Sequence, residues 1–379
     1  MKVMFTKFIL TVGFVVPALS ASAEAACPPI LKNLKTDHLR TGDLCSTYER
    51  YHKALAEMEA KGLVPAERVG NLHAPRMINM PSWKKNREEQ NFSPWRVYKP
   101  APQTWGGWEN GAAIVDKVIA ENLKTNRMQP ISIDYVKSLQ ASSMTNMVKA
   151  PGKFRDHGEV GLALVRENSL TAAQAKAMLQ SEYKSLLKPG QPLTEWRATQ
   201  CWEDRTPQFR QQWTGFYTQQ WPQIPANQFW TDAKGEQRQC GYIIYADMNE
   251  VEPQMKLWEK EINEKLATWG TPAASGDPLL LASRAQRWFI SIHPFLDGNG
   301  RTSRFIMETI IKSLGLPAPL LSNMDEDIYH TEEEWAKEIG EGLHRAIKYA
   351  EYCAKKPDGM GCNIVPKTAP PEGHVKFTK

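Results

Sequence analysis

A length of 379 residues suffices for one large buried core or two modest ones, which places the chain among ordinary globular proteins. A net charge of +5 on that length is mild, and no basic cluster interleaved with aromatics accompanies it, so nucleic-acid binding is not expected. Beyond the first residues no apolar stretch approaches the length of a membrane helix, and no membrane span is predicted.

In chain order, Lys2 and Lys7 precede an apolar run from Phe8 to Ala18, followed by small residues at Ala21-Ser22-Ala23 and Ala23-Glu24-Ala25. This is the pattern of a cleavable secretory signal over residues 1–25. Glu24-Ala25-Ala26 before Cys27 lacks the small-apolar pattern of a lipid-modified cysteine, so an exported protein, periplasmic or secreted, is the reading. Residues 27–159 read as a mostly helical, Trp/Pro-rich N-terminal region. It comprises a helical cap over 27–70, an irregular linker over 71–110 holding Trp83, Trp95, Trp105 and Trp108, further helix over 111–150, and a loop from Gly152 to Gly158. The tryptophans read as packing plugs rather than as a ligand platform.

A core domain is expected over residues 160–330. It opens with helix across Leu170–Leu187, where Ala, Gln, Lys and Leu dominate. Gln228-Phe229-Trp230-Thr231, a turn at Asp232-Ala233-Lys234-Gly235, and Cys240 to Tyr245 predict a β-hairpin. Val251, Met255, Trp258, Ile262, Leu266 and Trp269 then recur at helical spacing. Asp277-Pro278 is a helix start, and Leu281, Ala285, Trp288, Phe289 and Ile292 carry that helix to Pro294, which stops it. A further helix starts near Asn299 or Gly300 with Phe305, Ile306, Ile310 and Leu314 on its apolar face, and it ends at Gly315 before Pro317. A last helix over 331–354 buries Trp335, Ile339, Leu343 and Ile347, and residues 355–379 form a polar, Pro-rich, flexible tail.

The six cysteines fit an oxidising destination. Proximity suggests Cys27–Cys45, Cys201–Cys240 and Cys353–Cys362, one of about fifteen full pairings, with free core thiols as the plain alternative. No Cys-x-x-Cys or Cys/His cluster argues for structural zinc.

Residues 293–304 read His-Pro-Phe-Leu-Asp-Gly-Asn-Gly-Arg-Thr-Ser-Arg. Singly, these are ordinary: a core histidine, two turn dipeptides, two arginines on a helix. Together, between two apolar helices, they form a phosphate-handling turn. Free amides at a helix start make an anion site, and Gly298 and Gly300 let the backbone approach phosphate oxygens. Arg301 and Arg304, three apart, share a helix face where both fork onto a polyphosphate. Cations there oppose the helix dipole until an anion binds. Asp297 is the hard oxygen ligand that Mg²⁺ prefers, His293 is suited to take a proton from an attacking hydroxyl, and Asn299 is placed to hydrogen-bond a phosphate oxygen as charge develops. Phe295 reads as the core anchor of the loop.

This run resembles the complete motif of the Fic family, H-P-F-x-D-G-N-G-R-x-x-R, with no substitution at a specified position. The resemblance implies a mainly α fold, a Fic-type helical bundle with a small β-hairpin flap beside the active-site loop. It also implies transfer of AMP from ATP to a Tyr, Thr or Ser hydroxyl of a target protein. By resemblance, His293 is the general base, Asp297 the Mg²⁺ ligand, Gly298, Asn299 and Gly300 the anion hole, and Arg301 and Arg304 the holders of the β/γ phosphates. The flap, here Gly241, Tyr242, Ile243 and Ile244, would bind the target along an exposed edge by strand addition. Members often carry an inhibitory [S/T]-x-x-x-E-[G/N] segment, but the nearest copies depart from it: Thr199 to Asp204 ends in Asp, and Glu341-Gly342 follows Lys337 where Ser or Thr belongs.

Export removes the enzyme from cytoplasmic ATP, so a target in a host or rival cell into which it is delivered is the consistent expectation. Transfer of UMP, phosphocholine or phosphate on the same fold stays open, because the motif is built around a diphosphate and says little about the base. A non-catalytic exported binding protein also stays open, although scaffolding would need neither His293 nor Asp297. A metal hydrolase on those two residues lacks a signature for its third ligand.

Overall fold

The computed structural model describes residues 26–40, 42–65, 102–144, 150–156, 160–163, 169–179, 182–204, 227–269, 275–321, 327–356 and 364–366, with positions 148, 158, 165–166 and 224–225. The leader over 1–25, most of the 71–110 linker with Trp83 and Trp95, and the tail from 367 lie outside these residues. The fold is mainly helical. Among the described residues the helices are, in chain order, α1 (Pro29–Asn33), α2 (Leu44–Ala60), α3 (Pro102–Thr125), α4 (Ile133–Ser143), α5 (Ala172–Leu179), α6 (Met248–Leu266), α7 (Pro278–Ile292), α8 (Asn299–Lys312) and α9 (Glu332–Lys355).

The centre is α7, whose sequence PLLLASRAQRWFISI leaves almost every side chain buried. Asp277 starts it by accepting from the amides of Leu279 at 2.8 Å and Leu280 at 3.1 Å, with Pro278 needing no acceptor in the first turn. Around α7 pack α8, α9 and α6, while α3 and α4 close over α8 and α2 over α9. One buried cluster takes in Cys27, Leu31 and Leu44 from the start of the chain, Ala112 and Leu139 from α3 and α4, and Leu343 from α9. The N-terminal helices and the last helix therefore share a core with the segment carrying residues 293–304. Helix α9 is fixed at its start by reciprocal bonds between Thr331 and Glu334.

Two expected elements change. The helix over Leu170–Leu187 is shorter: Leu170 and Thr171 form a strand, helix covers Ala172–Leu179, and residues 182–187 leave it. Buried Glu250 holds this later stretch instead, accepting from the Ser185 hydroxyl at 3.0 Å and from the amides of Leu186 and Leu187. The extended linker also ends earlier, because α3 already begins at Pro102.

The strands include β2 (Val160–Ala163), β3 (Leu170–Thr171), β4 (Glu195–Ala198), β5 (Trp230–Thr231), β6 (Gln237–Gln239) and β7 (Gly241–Ile244), counting a pair β1 (Leu63–Pro65) and β8 (Ile364–Pro366) at the chain's two ends. The expected hairpin is present as β5–β6, turning on Asp232 to Gly235, but it joins β3 and not β7. Strand β7 instead lies between β2 and β4, antiparallel to both. Cys240, bonded to Cys201, stands at the step from one sheet to the next. Gly241 admits the indole of Trp196: a Cβ there would lie 2.2 Å from its Cζ2.

The pairs Cys27–Cys45 and Cys201–Cys240 are formed. Cys353 is disulfide-bonded as well, and Cys362, its expected partner, lies outside the described residues.

Candidate active site

Helix α7 ends at His293, which turns into the left-handed region with φ 51 and ψ 57, and Pro294 forbids a return to helix. The half-buried imidazole stacks on the ring of Tyr245, centroids 3.8 Å apart and planes 24° from parallel. Its Nδ1 lies 3.4 Å from the Ile290 carbonyl. Only a protonated Nδ1 makes that contact, so the neutral ring carries its lone pair on Nε2. Burial, and next the positive charge of Arg155, push His293 down to about 3. At neutral pH the ring is an uncharged acceptor.

Arg155, itself buried, was not singled out in the sequence. Its side chain donates to the carbonyls of His293 at 2.7 Å, Ile292 at 3.2 Å and Ala246, and its backbone N–H donates to Pro294 at 2.8 Å. Nothing in the polar run Lys153-Phe154-Arg155-Asp156-His157-Gly158 marks that arginine as internal.

Phe295 is fully buried against Phe154 and Phe289, as its anchor role requires. Asn299 departs from its expected task. Its Oδ1 accepts from the Phe295 amide at 2.9 Å and its Nδ2 donates to the Phe295 carbonyl at 2.7 Å. The side chain expected to meet phosphate thus closes the loop, and the main-chain amide of Asn299 lies in the uncapped first turn of α8.

Asp297 is exposed and is the one acidic side chain of the turn; its Oδ1 accepts from the Gly298 amide at 2.6 Å. The Asp297 carbonyl accepts from Gln140 of α4 at 3.0 Å, and the same Gln140 accepts from the Gly152 amide at 2.5 Å. Gly298 starts α8 at φ 81, and a Cβ there would meet Met144 Cγ at 2.6 Å. Helix α8 has no side-chain cap, so its first amides face the loop.

Arg301 donates to the Ser143 carbonyl at the end of α4 and approaches Met144 Sδ at 3.4 Å. Burial, and next the charge of Arg304, lower the Arg301 pKa. The Arg304 guanidinium folds back over the first turn, its Nη1 standing 3.7 Å from where a Gly300 Cβ would be. Arg301 and Arg304 thus share the start of α8 with its uncapped amides, and the loop that begins at His293 leads into it.

Gly241, Tyr242, Ile243 and Ile244 do not offer the exposed edge expected of them, because β7 is hydrogen-bonded on both sides. Their link to the site is Tyr245, the next residue. The two imperfect inhibitory segments look elsewhere: Glu203 accepts from the Arg166 amide at 3.2 Å, and Glu341 faces Arg40 at 3.4 Å. Among the described residues no group of three His, Cys, Asp or Glu side chains is arranged around a metal.

Residues 210–311 match the model of the Fic/DOC family. A Fido domain-containing protein of Dictyostelium discoideum is 38% identical over 58 residues, which are 15% of this chain and 41% of that protein. The protein adenylyltransferase Fic of Drosophila yakuba is 28% identical over 107 residues, 22% of this chain and 21% of its own. The chain therefore spans well under half the length of these relatives. Among solved structures, a Fic domain containing signaling protein from Bacteroides thetaiotaomicron aligns with 82% of this chain and 96% of its own at 14% identity and a TM-score of 0.42. Fic-1 of C. elegans aligns with 82% of this chain and 73% of its own at 12% identity and a TM-score of 0.39.

Proposed function

We propose, from the premise that this chain carries a Fic-family domain, that it transfers AMP from ATP to a Tyr, Thr or Ser hydroxyl of a target protein. The observation that carries this reading is a neutral imidazole, lone pair on Nε2, at the end of α7 on the loop that leads into an uncapped helix bearing Arg301 and Arg304 in its first turns. The target hydroxyl gives its proton to His293 Nε2 as its oxygen bonds to the α-phosphorus. The bond from the α-phosphorus to the bridging oxygen breaks, and pyrophosphate leaves. The amides of Asn299, Gly300 and Arg301 and the two guanidinium groups hold the phosphates and take up the charge that develops. Both arginines favour an anion: unoccupied, they oppose the dipole of α8.

Asp297 fits an Mg²⁺ site of the sparse kind, one exposed carboxylate with phosphate and water oxygens completing the shell. Mg²⁺ so held would neutralise phosphate charge. The work is assigned to an exported enzyme acting where ATP is present, in a host or rival cell; disulfides and the leader pattern support export.

The test incubates residues 27–379 with Mg²⁺ and ATP labelled on the α-phosphate, with bacterial and eukaryotic lysates, beside His293→Ala. Label on a protein with wild type only is the expected result. Label from γ-labelled ATP, UTP or CDP-choline instead would replace AMP by phosphate, UMP or phosphocholine. Equal labelling by His293→Ala would remove the histidine from the mechanism, and silence with every donor would favour a binding protein.

A further inference from the structure

We infer that Arg155 is the positioning residue for His293: it fixes the backbone that carries the imidazole and also the strand exit that lays Tyr245 across the ring. Its kinetic consequence rests on the transfer reading above.

The last carbonyls of a helix have no intrahelical donor, and here they end in the protein interior. Arg155 satisfies three in succession, Ile292 and His293 with its guanidinium and Pro294 with its own N–H. The peptide planes on both sides of the His293 Cα are therefore held by one residue. That hold is needed, since a non-glycine residue in the left-handed region costs about 1 kcal/mol or more and persists only where its surroundings determine it. A cation at this end also complements the dipole of α7.

The same guanidinium reaches the Ala246 carbonyl, one residue beyond Tyr245. Arg155 thus ties the exit of β7 to the end of α7, and the tie sets the stacked ring pair. Across the sheet, Gly161 leaves room for Tyr245, whose hydroxyl would be 2.7 Å from any Cβ there. The groups facing the imidazole are then Arg155 from its loop, the Tyr245 ring from β7 and the Ile290 carbonyl from α7. Arg155 is the charged one among them. Burial first, and next the Arg155 charge, keep the ring neutral, and a bound triphosphate, of opposite charge, would strengthen the base with the nucleotide in place. None of this involves the glycines and arginines that hold phosphate, so kcat and the KM for ATP should separate.

The experiment uses the mature chain labelled at histidine ¹³Cε1, with His293→Ala to assign the resonance, and compares wild type, Arg155→Gln and Arg155→Lys. Titration and AMP transfer are measured on samples whose near-UV circular dichroism shows native packing. Arg155→Gln should lower kcat about 10- to 100-fold, as misplacing a reacting group does, with the KM for ATP changed less than about threefold. Its His293 should also titrate at higher pH than in wild type. Arg155→Lys should keep the wild-type titration yet recover only part of kcat, because an ammonium cannot fork across several carbonyls. Native-like Arg155→Gln with unchanged titration and kcat would overturn the inference; if that variant loses native packing, full kcat in Arg155→Lys would do so. Should wild type transfer nothing, the transfer reading fails by itself, and the difference in titration still decides the role of Arg155.

Discussion

His293 is neutral in the folded protein and basic in the unfolded chain, which makes its ring a source of acid instability. Its folded pKa of about 3 lies below the ordinary histidine value of 6.5. The unfolded state therefore binds the extra proton as pH falls, so the stability is whole above pH 6.5 and declines toward pH 3. For a half-buried ring we expect wild type to lose about 1–2 kcal/mol more than His293→Gln between pH 8 and pH 5, read from urea midpoints at each pH. Equal losses would refute the assignment. Gly298 is constrained more simply, by positive φ and by Met144 at 2.6 Å from a Cβ position. Gly298→Ala should cost about 1–3 kcal/mol in thermal melts and weaken ATP binding, because the start of α8 must shift to admit the methyl. At this scale the sequence was informative where residues are contiguous: the stop at Pro294, the buried Phe295 and the helix start at Asn299 could be read from residues 293–304. It was silent on Arg155 and Gln140, whose internal positions depend on partners 138 and 157 residues away.

Helices with two signalled ends were legible. Asp277-Pro278 and Pro294 bound α7, and Gly315 with Pro317 closes the turn after α8, because caps and breakers act within a few residues. Strand partners were not, since pairing is decided by the rest of the molecule. Cys240 to Tyr245 has the composition of a hairpin arm, yet the bond to Cys201 and the fit of Gly241 beneath Trp196 carry it into the middle of the other sheet. The stretch after Leu179 leaves the expected helix for a similar reason, as buried Glu250 offers the amides of Leu186 and Leu187 a better acceptor than another turn would. The Asn299 side chain is best understood as part of the loop. Asn299→Ala should release both bonds to Phe295, destabilise the protein by about 1–3 kcal/mol and raise the KM for ATP, whereas a purely phosphate-binding role would leave the melting temperature unchanged.

Across the whole molecule, one core runs from Cys27 to Leu343. Residues 160–330 by themselves would leave the faces of α7 and α8 that meet α9, α3 and α4 exposed to water. We expect that fragment to give no cooperative thermal transition, and residues 27–379 to give one. The disulfides matter at the same scale. Opening the Cys201–Cys240 link, which spans 39 residues, should cost about 3–4 kcal/mol by the loop-closure argument, measurable as the difference in urea midpoint between wild type and the double serine variant. Such a loss sets how long the fold would last under reducing conditions.

Gln140 joins the amide of Gly152 to the carbonyl of Asp297, and Arg301 rests on the carbonyl that ends α4. Two parts of the 293–304 segment are therefore finished by a helix that lies wholly outside residues 210–311. Anyone who swaps that segment between homologues to exchange specificities would be moving the engraved face of a seal without the block it is mounted on. For this chain the transferable unit has to begin upstream of α4, and a library of hybrids cut at the family boundary would score the quality of the graft before it scored any preference for a donor or a target.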